Sequence, residues 1–381
     1  MFDELFWQAF IFSAIAISFV AISAWWLYLS PLKNAARATI AASPRVAVII
    51  AVLLGLSLLQ LVGGALWDAS MHIQTGQIPG GADFLWPPHL FLYSGFLVSF
   101  LVALIAVGLI AGRGWRTGSR DPRAWVRANP YVGAVALTSM YGLSSIPGDA
   151  IWHQLYGPDL TAWSPPHLLL VATMATQSIS ALGLLMNLRV APEKIAWRNV
   201  GALILLGLGL NLLYIVGVVE WELPAINAMN QIVATRPLWF YPLVGGALAF
   251  FTVALARRVV PWRWAATGAA LAFFAIRVLI TIGLGVTDNI VPAIPLMFIL
   301  GAVLVDAISV DAIASPRARD LAFAALFVAG YFVLAIPLIG ARRDLFAPTD
   351  FVWAIVSLLI LGIILLPITR AAAARLAPNN N

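Results

Sequence analysis

The sequence predicts an all-α fold, a polytopic membrane helix bundle of about eleven transmembrane helices forming a single transmembrane domain over residues 1–381. Three observations predict it: apolar runs of membrane-crossing length recur along the chain, charged residues are scarce, and the basic residues fall in alternate connections.

The apolar runs come first. Stretches near or above the ~18–20 residues that cross a hydrocarbon core lie at about 5–30, 45–72, 88–112, 130–153, 166–188, 198–221, 237–256, 262–285, 290–312, 320–340 and 350–370. They leave no room for a separate soluble domain. The first run is longer than a secretory h-region and has no basic stretch before it, so it reads as a retained span.

Composition agrees. Hydrophobic residues make up 62% of the chain and charged residues 10%, against roughly 25% charged in an ordinary soluble domain, which makes the lipid bilayer the expected partner of most of the surface. The chain has no cysteine, which removes disulfides, thiolate metal sites, iron–sulfur clusters and cysteine catalysis together.

The third observation sets orientation. Of 22 basic residues, 18 fall on one side: Lys33, Arg37, Arg45, Arg113, Arg116, Arg120, Arg123, Arg127, Arg189, Lys194, Arg198, Arg257, Arg258, Arg263, Arg317, Arg319, Arg370 and Arg375. Only Arg236, Arg342 and Arg343 fall on the other, and Arg277 lies within a span. The positive-inside rule then puts the N-terminus outside and the C-terminus inside. The net charge of +6 is thereby explained by topology, and no nucleic-acid partner is expected. The expected location is a bacterial inner (plasma) membrane, with the 68–89 and 149–167 connections facing the outer, periplasmic side.

These two connections and their borders hold all four histidines of the chain. The first copy reads Asp68-Ala-Ser-Met-His72, then Gly76, then Trp86-Pro87-Pro88-His89. The second reads Asp149-Ala-Ile-Trp-His153, then Gly157, then Trp163-Ser164-Pro165-Pro166-His167. Aspartate and first histidine recur 81 residues apart and Pro-Pro-His recurs 78 apart, so the chain contains a tandem two-helix repeat. Residues 45–112 form the first motif-bearing pair of spans, 130–188 the second, and 198–370 a C-terminal six-helix scaffold.

Aspartate and histidine at i and i+4 share one helical face, close enough to share a cation or bond each other. His89 and His167 follow a proline pair at a helix start, where the positive end of the dipole favours neutral, metal-binding imidazole. Asp68 and Asp149 are expected near helix C-termini, where a carboxylate needs a compensating cation. Asp68, His72, His89, Asp149, His153 and His167 are therefore the candidate metal ligands. Two imidazoles and one carboxylate per copy suit copper, iron, zinc or manganese and are too rich in nitrogen for calcium or magnesium. Copper is the first expectation, with iron or zinc behind it. Structural Asp–His pairing at helix ends and axial haem ligation are the competing readings, though haem leaves the repeated aspartate without a role.

The order Asp-x-x-x-His followed by a histidine at the start of the next helix resembles the metal-binding motif in the C subunit of copper membrane monooxygenases, the particulate methane and ammonia monooxygenase family. Asp149, His153 and His167 carry the resemblance, over less than a tenth of the chain. It implies a copper site near the outer membrane face and oxygen-dependent oxidation of a small apolar substrate.

Further polar residues extend the pattern. Gln60, Gly64, Asp68 and His72 form an i+4 stripe, and Tyr141, Ser145, Asp149 and His153 form its equivalent, so Gln60, Tyr141 and Ser145 are expected to support the ligands or face a substrate. Glu220 and Glu222, near Asn227 and Asn230, are expected to offer an oxygen ligand or a proton route. Arg277 requires a partner inside its span, with Asp288 and Glu220 as candidates. Asp306 and Asp311 read as solvated, and Trp67, Trp86, Trp152, Trp163 and Trp221 as an interfacial aromatic belt.

The function expected is a membrane-embedded metalloenzyme, a metal-dependent oxidoreductase acting on a small apolar or lipidic substrate, with metal-assisted hydrolysis as a variant. The alternatives are a zinc or copper transport or delivery protein, and a non-catalytic subunit of a membrane oxidase complex. Other membrane subunits or a homo-oligomer are the partners these readings imply.

Overall fold

The computed structural model describes residues 18, 22, 25, 43–75, 85–118, 120–156, 165–188, 194–222, 237–308, 313, 315–340 and 346–376. The expected span 5–30 falls outside the described residues apart from three isolated positions. The described residues form helices α1 (Pro44–Thr75), α2 (Pro87–Arg116), α3 (Pro122–Ala128), α4 (Pro130–Tyr156), α5 (Pro165–Met186), α6 (Ile195–Glu222), α7 (Phe240–Val259), α8 (Ala265–Val286), α9 (Ile299–Ala307), α10 (Pro316–Gly340) and α11 (Pro348–Leu376), with a 3₁₀ turn at Leu296–Phe298 before α9. The all-helical polytopic bundle is thereby established. Among the described residues, eight helices, α1, α2, α5, α6, α7, α8, α10 and α11, are long and apolar enough to cross a membrane.

Local chemistry sets where these helices begin. Seven of the eleven start with proline, whose missing N–H costs nothing in the first turn, so proline punctuates the sequence at the helix starts. Polar caps assist: Ser43 Oγ accepts the Val46 N–H, Asp121 accepts the Arg123 N–H and Ser315 accepts the Ala318 N–H. The expected span 290–312 meets a shorter element. Pro292 and Pro295 keep the chain irregular up to Leu296, and the nine-residue α9 rises only about 13 Å.

Many large apolar side chains face outward, among them Leu104, Ile105, Leu279, Ile282, Val333, Val352 and Ile360. Exposed apolar side chains in this number are costly in water and natural in lipid.

The chain divides into two compact units. The first comprises 1–64, 78–159 and 163–189; the second comprises 65–77, 160–162 and 190–381.

In the first unit, α2 packs on α4 and α4 on α5, and the internal repeat is visible in the packing. Leu61 side-chain carbons lie 2.9 Å from where a Cβ on Gly95 would fall. At the repeat-equivalent positions the sizes are exchanged, and a Cβ on Gly142 would lie 3.0 Å from Thr173 Cγ2. A glycine on one helix thus admits a larger side chain from the other in both copies, with the roles reversed. The copies also meet each other directly. Ser99 Oγ donates to Gln177 Oε1 at 3.2 Å, and these two residues are themselves equivalents, 78 positions apart in the sequence.

In the second unit, α6 packs on α8 and α7, α7 on α11, and α9 on α10. Its core is aromatic: Tyr214, Phe250, Phe273, Phe298, Phe327 and Tyr331 are fully buried. The closest approach is between α9 and α10, where a Cβ on Gly330 would lie 2.6 Å from the Gly301 nitrogen.

Candidate metal centre

The first ligand set is built on α1 and α2. In the first unit these helices approach closely: Ser57 Oγ donates to Gly95 O at 2.7 Å, Gln60 Nε2 donates to Phe91 O at 3.1 Å and also to the Ser94 hydroxyl, and a Cβ on Gly64 would lie 3.1 Å from Leu92 Cα. Asp68 is one turn beyond Gly64 on α1, and His89 is three residues before Leu92 on α2.

Asp68 and His72 share a helical face, and His72 Nε2 lies 3.5 Å from Asp68 Oδ1. Two donors on one tetrahedral ion with bonds of about 2.0–2.2 Å stand roughly 3.3–3.6 Å apart, so this pair already has a chelating separation. His89 is buried at 3% exposure, edge-on to Trp86 with ring centroids 5.4 Å apart and 5.7 Å from the Tyr93 ring. Asp68 and His72 belong to the second unit and His89 to the first.

The second set lies on α4 and α5 of the first unit. Asp149 is 4% exposed, and its Oδ1 stands 3.8 Å from His167 Nε2. This pair is the repeat counterpart of Asp68 and His89. His153 lies on α4 one turn beyond Asp149, but its side chain, like those of Ser145 and Glu220, falls outside the described residues.

The helix ends differ from expectation. α1 runs to Thr75 and α4 to Tyr156, so Asp68 and Asp149 each sit seven residues inside the C-terminus. The helix dipole acts mainly in the last turn, and so it bears on these carboxylates less than expected. Both carboxylates are largely buried beside a histidine, Asp68 with 15% side-chain exposure and Asp149 with 6%.

The supporting residues separate. Gln60 bonds across to α2 and ties the helices together about two turns below Asp68. Tyr141 is half-buried on α4. A polar step that the sequence did not single out lies deeper. Ser57 and Ser99 hydroxyls meet at 2.6 Å, Ser99 reaches Gln177, and all three residues are fully buried. Its signal was the placing of Ser57, Ser99 and Gln177 inside otherwise apolar runs.

Several expectations are corrected in the second unit. Arg277 is fully buried, and its partners are Glu222, with Nη1 donating to Oε2 at 2.8 Å, and Asn211, whose Oδ1 accepts from Nε at 2.9 Å. Asp288 is not one of them. It is exposed in a left-handed conformation with φ of 56°, and its carbonyl accepts from Gln74. The side chain of Glu222 is thereby committed to an ion pair. Asp306 is not solvated: it is 2% exposed, accepts the Thr267 N–H at 2.7 Å and faces Arg257 at 3.4 Å. Trp221 stacks on Tyr241, centroids 5.7 Å apart, and Trp86 is buried on His89, so neither tryptophan belongs to an exposed belt.

Comparisons of the chain with protein-family models, with curated proteins and with solved structures found no match.

Proposed function

We propose that this chain is a membrane-embedded metalloenzyme. Asp68, His72 and His89, with their repeat counterparts Asp149, His153 and His167, bind a transition metal, copper first and iron or zinc behind it. The site faces the outer, periplasmic side of a bacterial inner membrane, and the substrate is small and apolar or lipidic. One observation carries the reading: His72 Nε2 stands 3.5 Å from Asp68 Oδ1 on one face of α1, and the second copy brings His167 Nε2 to 3.8 Å from Asp149 Oδ1.

The roles follow from the residues. Two imidazoles and a carboxylate hold a divalent ion and leave coordination positions open, which is the pattern of a reactive rather than a closed structural site. A redox metal held there would supply the oxidising chemistry. Trp86 and the buried wall around His89 keep bulk water away from the ligands, and the surrounding bilayer delivers apolar substrate by partition. The resemblance of Asp149, His153 and His167 to the copper membrane monooxygenase motif favours copper and dioxygen. Monooxygenation then balances as one oxygen atom inserted into a C–H bond and the other reduced to water, with two electrons and two protons from an external donor.

A metal transport reading is favoured by one observation, the buried Ser57–Ser99–Gln177 polar step inside the first unit. Metal-loaded protein in proteoliposomes distinguishes the two. The enzyme reading expects metal-dependent dioxygen consumption with a two-electron donor and a short alkane or alkene, and no metal flux. Metal flux without substrate oxidation contradicts it.

A further inference from the structure

Where α1 begins and α2 ends, the first unit contains a cavity of about 250 Å³ lined by Ser43, Val46, Gly108, Leu109, Gly112, Arg113 and Arg116, among others. It combines two features. Its rim carries two exposed guanidinium groups, Arg113 and Arg116, one turn apart on the last stretch of α2. Its wall is apolar and, among the described residues, open, because none of their atoms lies within 4 Å of where a Cβ on Gly108 or Gly112 would fall. Above it on α2, Leu101, Leu104, Ile105 and Leu109 are exposed and continue the apolar surface into the bilayer.

We propose that this groove binds an anionic phospholipid. The phosphodiester sits between Arg113 and Arg116, and an acyl chain runs along the Gly108–Gly112 face beside Leu109 and Val46. Charge complementarity selects the head group: paired guanidinium groups recognise phosphate oxygens through planar, multiply donated hydrogen bonds. The apolar track selects a lipid over a free anion, since a soluble phosphate has nothing to place against Val46 and Leu109. Basic pockets between membrane helices bind anionic head groups by the same logic. Each glycine has a specific part, because a side chain at position 108 or 112 would occupy the space the acyl chain uses. Ser43 adds a hydroxyl at the rim; it accepts the Val46 N–H, which leaves its own proton to donate to a phosphate oxygen.

The test is native mass spectrometry of the full chain in mild detergent, titrated separately with phosphatidylglycerol, phosphatidylcholine and inorganic phosphate. Wild type is expected to retain a first phosphatidylglycerol at least tenfold more tightly than phosphatidylcholine, and to retain no inorganic phosphate. Arg113→Gln/Arg116→Gln is expected to lose that preference. Gly112→Leu is expected to weaken phosphatidylglycerol with both charges intact, and Arg263→Gln/Arg317→Gln, which removes two exposed charges elsewhere, is expected to behave as wild type. Unchanged phosphatidylglycerol retention in the Arg113→Gln/Arg116→Gln protein overturns the proposal, as does an equal loss in the Arg263→Gln/Arg317→Gln protein. Tight binding of inorganic phosphate alone would also overturn the lipid assignment. Thermal unfolding of each variant separates loss of the site from loss of the fold.

Discussion

Arg277 Nη1 donates to Glu222 Oε2 across 2.8 Å, with both side chains at 0% exposure. A charge in such surroundings persists only with a partner, because burying it unpaired costs several kcal/mol. Asn211 completes the arrangement. It accepts from Arg277 Nε while its amide nitrogen donates to Gly207 O and Phe273 O.

Glu222→Ala is therefore expected to destabilise the protein by about 3–5 kcal/mol, since it strands the guanidinium. Replacing both charges, Glu222→Leu with Arg277→Met, should recover much of the loss. Thermal unfolding in detergent checks this, and a double variant no more stable than Glu222→Ala would show that the pair is not the source of the effect.

Close packing of α9 on α10 yields a second expectation. The obstacle to a side chain at position 330 is the Gly301 backbone, at 2.6 Å from its nitrogen and 2.7 Å from its Cα, and backbone cannot swing aside. Gly330→Ala should cost about 1–3 kcal/mol by overpacking. By contrast, Gly108→Ala, where nothing among the described residues lies within 4 Å, should leave the midpoint of unfolding nearly unchanged.

Outside the spans, Asp121 caps α3 and pairs with Arg123 at 3.0 Å. The side-chain hydrogen bond from Arg123, followed by backbone and charge effects, holds its carboxyl below the ordinary value of 3.8. A lowered folded-state value means that the cap's contribution is fully present above the unfolded pKa and fades as pH falls through the folded one. Carboxylate ¹³C shifts of labelled protein should give a midpoint below 3.8, moving upward in Arg123→Gln. A midpoint unaffected by that substitution would contradict the assignment.

Metal affinity should itself depend on pH. Protons compete with the metal for the imidazole nitrogens, so affinity is expected to fall as the medium is acidified. In a competition titration between pH 5 and 8, a flat profile would argue against imidazole ligation.

Much of the fold was legible because its signals are local. Apolar run length located the long helices, and prolines such as Pro44, Pro87, Pro165 and Pro316 marked their starts. Pro292 and Pro295 were as visible as these, and reading them as breakers would have shortened the expected span at 290–312. The repeat was legible at its anchors, Asp68 with Asp149 and His89 with His167. What pairs in space was less so. Choosing Glu222 over Glu220 or Asp288 for Arg277 depends on helical phase and on how α6 packs against α8. The extension of α1 and α4 seven residues beyond their aspartates carries no break in periodicity that would reveal it. Asp306 read as solvated because its partners, Thr267 and Arg257, are far away in sequence.

The central claim is that the repeated Asp/His sets bind a transition metal, and metal content per chain tests it most directly. Protein purified in mild detergent without chelator, analysed by inductively coupled plasma mass spectrometry, is expected to carry about one or two equivalents of copper, iron or zinc. Asp68→Ala and His89→Ala should lose the metal of the first set, and Asp149→Ala and His153→Ala that of the second, with thermal unfolding confirming intact folds. If wild type holds no stoichiometric metal even after reconstitution with each ion, or if these variants retain the full complement, the duplicated Asp/His sets are structural pairings and not a metal centre.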